Sequence, residues 1–164
     1  MPIDAATFRS VMGALPTGVT VLTIVDRAGS DHGMTVGAFC SLSLEPPLVL
    51  ACIGDDATIA AEMREATSFG ISVLAQDQEA LSSRFADRER RGFGGVAHAR
   101  GPLGTILLSG AVAQMECRIT ARHGGGDHTI VVGEIMHAAA HEGAPLVHHR
   151  GTYARLARVD RNAR

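Results

Sequence analysis

Residues 19–44 read VTVLTIVDRAGSDHGMTVGAFCSLSL, and the fold class rests on that run. Val19 to Val25 is dominated by β-branched residues and is bounded by Gly18 and the turn-forming group Asp26-Arg27-Ala28-Gly29-Ser30. Branched side chains suit a pleated surface, and a short segment holding Asp, Gly and Ser closes a turn, so this pattern predicts the first arm of a hairpin. Met34 to Leu44 is then the returning arm. Its hydroxyls at Thr35, Ser41 and Ser43, with small residues at Gly37 and Ala38, would let a flat ligand approach the main chain and find donors there.

Outward from this hairpin the same strand-rich pattern continues. Before it, Phe8, Val11, Met12 and Leu15 recur at helical spacing behind Asp4, a good N-cap, and Pro16 ends the helix. After it, Pro46-Pro47 interrupts the chain and Leu48 to Ile53 forms another apolar run. Thr58 to Ala66 reads as a helix, Phe69 to Leu74 as a strand, and Asp77 to Phe85 as a helix with an acidic cap. Between Ala86 and Gly104 charge and Gly erase the pattern, which predicts an irregular surface excursion. From Ala113 apolar and polar residues alternate through Thr120, the mark of a half-exposed strand. A turn at Gly124-Gly125-Gly126 leads to a strand from His128 to Ala138, and two short extended pieces, Pro145 to His149 and Thr152 to Leu156, close the chain. Strands dominate and the helices are short, so the expected class is mainly β, a closed or nearly closed antiparallel barrel.

The chain has 164 residues with no internal repeat or linker, which predicts one domain over 1–164. Its net charge is −2 and every basic side chain other than His is Arg, since no Lys occurs. That balance argues against nucleic acid as the main partner, and the lack of Lys excludes Schiff-base chemistry and a Walker loop. Cys40, Cys52 and Cys117 are odd in number and set among apolar neighbours, the pattern of buried free thiols in a reducing cytoplasm. The N-terminus lacks the features of a signal peptide, and no apolar run reaches membrane-spanning length. The expectation is a cytoplasmic protein that meets neither membrane nor nucleic acid.

Motifs with a sharp chemical meaning are few. Gly92-Phe93-Gly94-Gly95-Val96-Ala97 fits G-x-G-x-x-A, but it follows an Arg/Glu run instead of a strand, so a dinucleotide loop is not expected there. His123, Asp127 and His128 cluster across the Gly turn and His148-His149 are adjacent, yet no metal motif surrounds them. Structural or surface histidines, with no metal, are the expectation. No nucleophile elbow or catalytic Cys signature is present.

Five segments in order carry a resemblance. They are Pro16-Thr17-Gly18-Val19, then Gly33-Met34-Thr35-Val36 with Ser41-Leu42-Ser43, then Pro46-Pro47-Leu48-Val49, then Arg84-Phe85-Ala86, and finally Gly126-Asp127-His128. Spread from about Phe8 to Leu156, they resemble the short-chain flavin reductases that serve two-component flavin monooxygenases. The resemblance implies a split β-barrel of Greek-key, FMN-binding type, a homodimer, and NADH- or NADPH-dependent reduction of FMN or FAD for release to a monooxygenase component. It places Thr35, Val36, Ala38 and Phe39 along the flavin ring and continues the site through Ser41, Leu42, Cys52 and Ile53. Thr58, near a helix start, would help hold phosphate. Phe85 and Ala86 would flank the ring, while His128, taken as the catalytic residue, and Tyr153 would lie on the nicotinamide side.

The cofactors carry the hydride chemistry, so the protein need only hold both. Main-chain N–H groups around Ala38 and Phe39 would stabilise charge on the reduced ring, and His128 would steer the nicotinamide. One departure from the family pattern is Asp55-Asp56 just ahead of Thr58, where two carboxylates would repel phosphate unless they point away or cap the helix. Three rival readings remain: a pyridoxamine-phosphate-oxidase-like enzyme, a non-catalytic flavin-binding module, and a barrel that only mediates interactions.

Overall fold

The computed structural model describes residues 2–89 and 92–157. In chain order the elements are α1 (Ala5–Gly13), β1 (Thr17–Gly18), β2 (Thr20–Val25), β3 (Asp31–Val36), β4 (Phe39–Ser43), β5 (Leu48–Gly54), α2 (Ala60–Glu65), β6 (Ser68–Val73), α3 (Glu79–Ala86), β7 (His98–Arg100), β8 (Ile106–Leu108), β9 (Ala113–Gly124), β10 (His128–Ala140), β11 (Val147–His149) and β12 (Thr152–Ala154). The protein is mainly β with three short helices among the described residues.

The run that opens the sequence reading sits at the centre of this arrangement. Alternate residues of β2 feed two cores: Leu22 and Ile24 enter one, Val21 with the preceding Val19 the other. The two polar residues of this buried strand are satisfied, Thr20 donating to the Val36 carbonyl at 2.7 Å and Thr23 to that of Ile106 at 2.6 Å. A strand buried on both faces reads as a near-continuous apolar run, as this one does.

The returning arm does not run as one strand from Met34 to Leu44. It leaves the β2 ladder after Val36, which pairs with Thr20, and the Ala38 carbonyl then accepts the Cys52 amide at 2.9 Å. The seven-stranded antiparallel sheet has the order β3-β2-β6-β9-β10-β5-β4. Its two edge strands, β3 and β4, are consecutive in the chain and separated by Gly37-Ala38 alone, so the chain crosses from one edge of the sheet to the other there. No ladder joins β3 to β4 among the described residues, and the sheet stays open there. Phe69, Ile71, Val49, Ala51, Ile53, Cys117 and Val131 from β6, β5, β9 and β10 fill its interior. Val21, Leu74, Phe85, Ile106, Leu108 and Leu146 pack α3, β8 and the β1-β11-β12 sheet outside.

Other differences have local causes. Asp4 caps α1 as expected, its Oδ1 accepting the Thr7 amide at 2.7 Å, yet α1 ends at Gly13, short of Leu15, and buries no residue, and Phe8, Val11, Met12 and Leu15 are all exposed. The helix expected from Asp77 starts at Glu79 with Gln78 as its N-cap and no side-chain cap, because Gln78 bonds Ala75 and Ser109 instead. The helix expected from Thr58 is confined to Ala60–Glu65. The irregular excursion expected from Ala86 to Gly104 holds β7, which pairs with β8 just beyond it. Glu116, placed by alternation on the wet face of β9, is wholly buried. Its carboxylate accepts the Leu103 amide at 2.9 Å, the Thr105 amide at 3.1 Å and the Thr105 hydroxyl at 2.7 Å, which folds residues 101–105 over the strand. Of the three cysteines only Cys117 is fully buried, and burial beside Glu116 pushes its thiol up to about 12. Cys52 is half-buried, and Cys40 is exposed because β4 is an edge strand.

Candidate functional site

Three groups of the expected residues assemble along the path from β3 to the end of β5. The first is the crossover itself. Phe39 pairs with Ala51 and Cys40 with Leu50, so Ala38 and Phe39 lie beside Cys52 near the end of β5, while Ser41, paired with Val49, and Leu42, in the register shift before Ser43, lie toward its start. Ala38, Ser41 and Leu42 are exposed, and Phe39 and Cys52 are half-buried. Val36 and Ile53, at 3% and 1% exposure, turn their side chains into the core, which leaves their main chain as the part a ligand could meet. At Gly37 a Cβ would stand 3.5 Å from the Thr17 hydroxyl, so β1 lies against the crossover.

The second group surrounds Gly54 at the end of β5. Gly54 pairs with His128, and a Cβ on it would lie 3.7 Å from His128 Nε2 and 3.1 Å from Asp56 Oδ1. His128 Nδ1 is 2.7 Å from Asp127 Oδ1. With Nδ1–H donating to that carboxylate, Nε2 is left as the acceptor of the neutral ring. The same hydrogen bond holds the Asp127 carboxyl below the usual carboxylate range. Asp56 Oδ2 accepts from Arg88 at 2.7 Å, and that guanidinium lowers the Asp56 carboxyl in turn. Asp55 Oδ1 accepts the Thr129 hydroxyl at 2.9 Å, so neither carboxylate caps α2. Thr58 is exposed in the turn before that helix.

The third group joins β3, α3 and β12. Thr35 donates to the Ser82 carbonyl at 2.7 Å, and the Tyr153 phenol donates to Ser82 Oγ at 2.9 Å. Phe85 is fully buried and packs on Phe93 with ring centroids 5.1 Å apart. Its ring is therefore interior support, while Ala86 at the end of α3 is exposed. Tyr153 pairs across the hairpin with His148, the two rings edge to face at 5.9 Å. Tyr153 and His128 fall in different groups, with no hydrogen bond or ring contact between them among the described residues.

The sequence reading passed over Ser82 and Arg88. Ser82 had one local signal: it stands three residues before Phe85 and so shares its helix face. Arg88 lay unsingled in a charged run. Among the described residues no cluster of His, Cys, Asp and Glu could hold a metal ion. No described helix is long and apolar enough to cross a membrane.

Chemically, the crossover offers exposed main chain flanked by small residues, the hydroxyl of Ser41 and the half-buried Cys52, a surface suited to a flat ring with polar edges. The Gly54 group adds an oriented imidazole and one guanidinium. These residues fit a flavin lying along the crossover.

Residues 12–157 match the family described as flavin reductase like domain. The chain is 41% identical over 155 residues to FMN reductase (NADH) SmoA of Agrobacterium fabrum, covering 94% of this chain and 88% of that protein. It is 36% identical over 152 residues to the flavin-dependent monooxygenase reductase subunit HsaB of Rhodococcus jostii, covering 92% and 77%. In structure it superposes with a TM-score of 0.90 and 37% identity on the NADH:FAD oxidoreductase SgcE6 of Streptomyces globisporus, solved in complex with NAD and FAD fragments, covering 98% of this chain and 96% of that one. On sequence and on structure alike, the chain belongs to the flavin reductase family.

Proposed function

We propose that this protein is an NAD(P)H-dependent flavin reductase that reduces FMN or FAD and supplies the product to a partner monooxygenase. The observation that carries this reading is the exposed crossover at Gly37-Ala38, bonded to Cys52 of β5, with the Asp127–His128 pair two residues further along that strand, opposite Gly54. Relatives bearing NADH-dependent FMN reductase and monooxygenase reductase names support it. When bound, flavin supplies the redox chemistry, accepting a hydride from the nicotinamide.

The residues of this chain then have distinct tasks. Main chain at Thr35, Val36, Ala38 and Phe39 lies along the ring, and main-chain N–H groups near Ala38 and Phe39 favour negative charge at the ring edge. Ser41, Leu42, Cys52 and Ile53 extend the same surface, and Thr58 lies toward the phosphate. Phe85 acts from beneath by holding α3 on β3, with Ala86 exposed beside it. His128 offers Nε2 to the nicotinamide, and Tyr153 bounds that side from the C-terminal hairpin. The seven-stranded sheet is read as a split barrel in a single domain, and the working unit as a homodimer.

NADH consumption with and without added FMN tests the reading. Flavin-dependent, saturable consumption supports it. Consumption that ignores added flavin indicates a tightly held prosthetic group. Flavin binding without turnover indicates a carrier or an oxidase of the pyridoxamine-phosphate type, and no flavin binding at all indicates an interaction domain.

A further inference from the structure

Ser82 holds two residues of the candidate site through two different atoms. It is 2% exposed on the inward face of α3. Its carbonyl accepts a hydrogen bond from the Thr35 hydroxyl at 2.7 Å and its Oγ accepts one from the Tyr153 phenol at 2.9 Å. Phe85 on the same helix face seats on Gly33, where a Cβ would come within 3.0 Å of the Phe85 ring. Thus α3 is fixed on β3 at two points, and a residue bonded to Ser82 inherits that fixed position. Tyr153 is such a residue, and its hairpin partner His148 is paired to Thr17, which lies against Gly37. Thr35, Ser82, Tyr153, His148, Thr17 and Gly37 therefore close a ring of contacts around the crossover.

We propose that Ser82 is a positioning residue for flavin reduction, holding the Tyr153 phenol at a set distance from the crossover and so fixing where the nicotinamide lies. The inference rests on the reading above, in which Tyr153 bounds the nicotinamide side. Replacing Ser82 by Ala removes Oγ and keeps the carbonyl that anchors Thr35. The variant therefore releases Tyr153 without moving β3, and its effect belongs to NADH and not to flavin.

The chain has one Tyr and no Trp, so tyrosine fluorescence and the tyrosine band of near-ultraviolet circular dichroism report Tyr153 alone. The experiment compares wild type, Ser82→Ala, Tyr153→Phe and the double variant, all as the full chain. Loss of one neutral hydrogen bond should raise the KM for NADH by roughly 2–10-fold in each single variant, with the flavin dissociation constant unchanged. The double variant should be no worse than either single one, because both remove the same bond. Ser82→Ala should also weaken the tyrosine dichroism while the melting temperature stays near wild type. Unchanged tyrosine signals, additive effects on KM, or wild-type NADH kinetics in folded Ser82→Ala would each overturn the proposal. A wild-type protein that oxidises no NADH with flavin present would overturn the reductase reading itself, and the tyrosine signals would still show whether Ser82 holds the ring.

Discussion

Asp56 and Arg88, 32 positions apart, are joined by an ion pair of 2.7 Å from Oδ2 to a guanidinium nitrogen. The carboxylate that looked like a cap for α2 or a repellent for phosphate is thus neutralised by a cation brought from beyond α3. Both side chains are exposed, so the pair is weak and readily exchanged. Phosphate arriving at Thr58 would compete with Asp56 for Arg88. Asp56→Ser should free the guanidinium and tighten flavin binding up to roughly five-fold, and Arg88→Ala should loosen it by a similar factor, with both effects shrinking in high salt. The carboxyl is held below its ordinary value, so whatever stability the pair lends is present above the ordinary Asp range and is lost as pH falls through the lowered value. Fluorescence titration of flavin at two salt concentrations measures the binding effect. Tighter binding by Arg88→Ala would reverse the assignment.

Glu116 on β9 pins the segment of Leu103 and Thr105. Its buried carboxylate meets two main-chain amides and one hydroxyl, three donors that an amide side chain cannot all satisfy. Glu116→Gln turns an NH2 group toward one of them, and the expected cost is about 1–3 kcal/mol, read as a lower melting temperature. Gly101→Ala should also destabilise, since its Cβ would fall 2.2 Å from the Glu116 carboxyl carbon. Flavin affinity at low temperature should persist in Glu116→Gln. A melting temperature equal to wild type would show the loop does not depend on this carboxylate.

What could be read from sequence, and what could not, divides by the distance of the partner. Asp4 caps α1 through Thr7, three residues away, and the β2 pattern identifies its strand because burial on both faces writes an unbroken apolar run. The β9–β10 hairpin was legible from local pattern too, β9 from its alternation and β10 from the Gly turn before it. The break at Gly37-Ala38 was not, because past Val36 the chain turns to a bond donated by the Cys52 amide, on another strand, to the Ala38 carbonyl. Glu116 looked wet because alternation reports the strand and not the loop that covers it. Ser82 was silent for a similar reason: its partners are 47 and 71 positions away, and no local spacing encodes them. The Gly126-Asp127-His128 segment, whose hydrogen bond joins adjacent residues, was the part of the site most open to reading.

The exposed face of α1 bears on assembly. Phe8, Val11 and Met12 stand on a capped helix that buries nothing, and Leu15 follows just past its end, with exposures between 48% and 61%. Light scattering at micromolar concentration should give the mass of two chains. Phe8→Glu with Val11→Glu should move that mass toward one chain if this helix contributes to the contact. A monomeric wild type with full activity would exclude the homodimer.

His128 should serve the nicotinamide and not the flavin. It begins β10 directly after the turn Gly124-Gly125-Gly126-Asp127, in which Gly126 takes a φ of 79°. A residue on such a turn can receive a ligand that comes and goes with each turnover. Its ring is exposed over Gly54 and oriented by Asp127, which engages Nδ1 and leaves Nε2 facing outward from that bond. One hydrogen bond from a neutral imidazole is worth about 0.5–1.5 kcal/mol. His128→Ala should therefore raise the KM for NADH by roughly 2–12-fold, lower kcat where orientation also suffers, and leave flavin affinity near wild type. Asp127→Asn keeps an acceptor for Nδ1–H but removes the charge, so it should move KM in the same direction by less. A purely structural histidine predicts the opposite pattern, in which His128→Ala lowers the melting temperature and leaves the KM for NADH alone. Steady-state kinetics paired with thermal melts separate the two, and unchanged NADH kinetics in a folded His128→Ala would end the functional assignment.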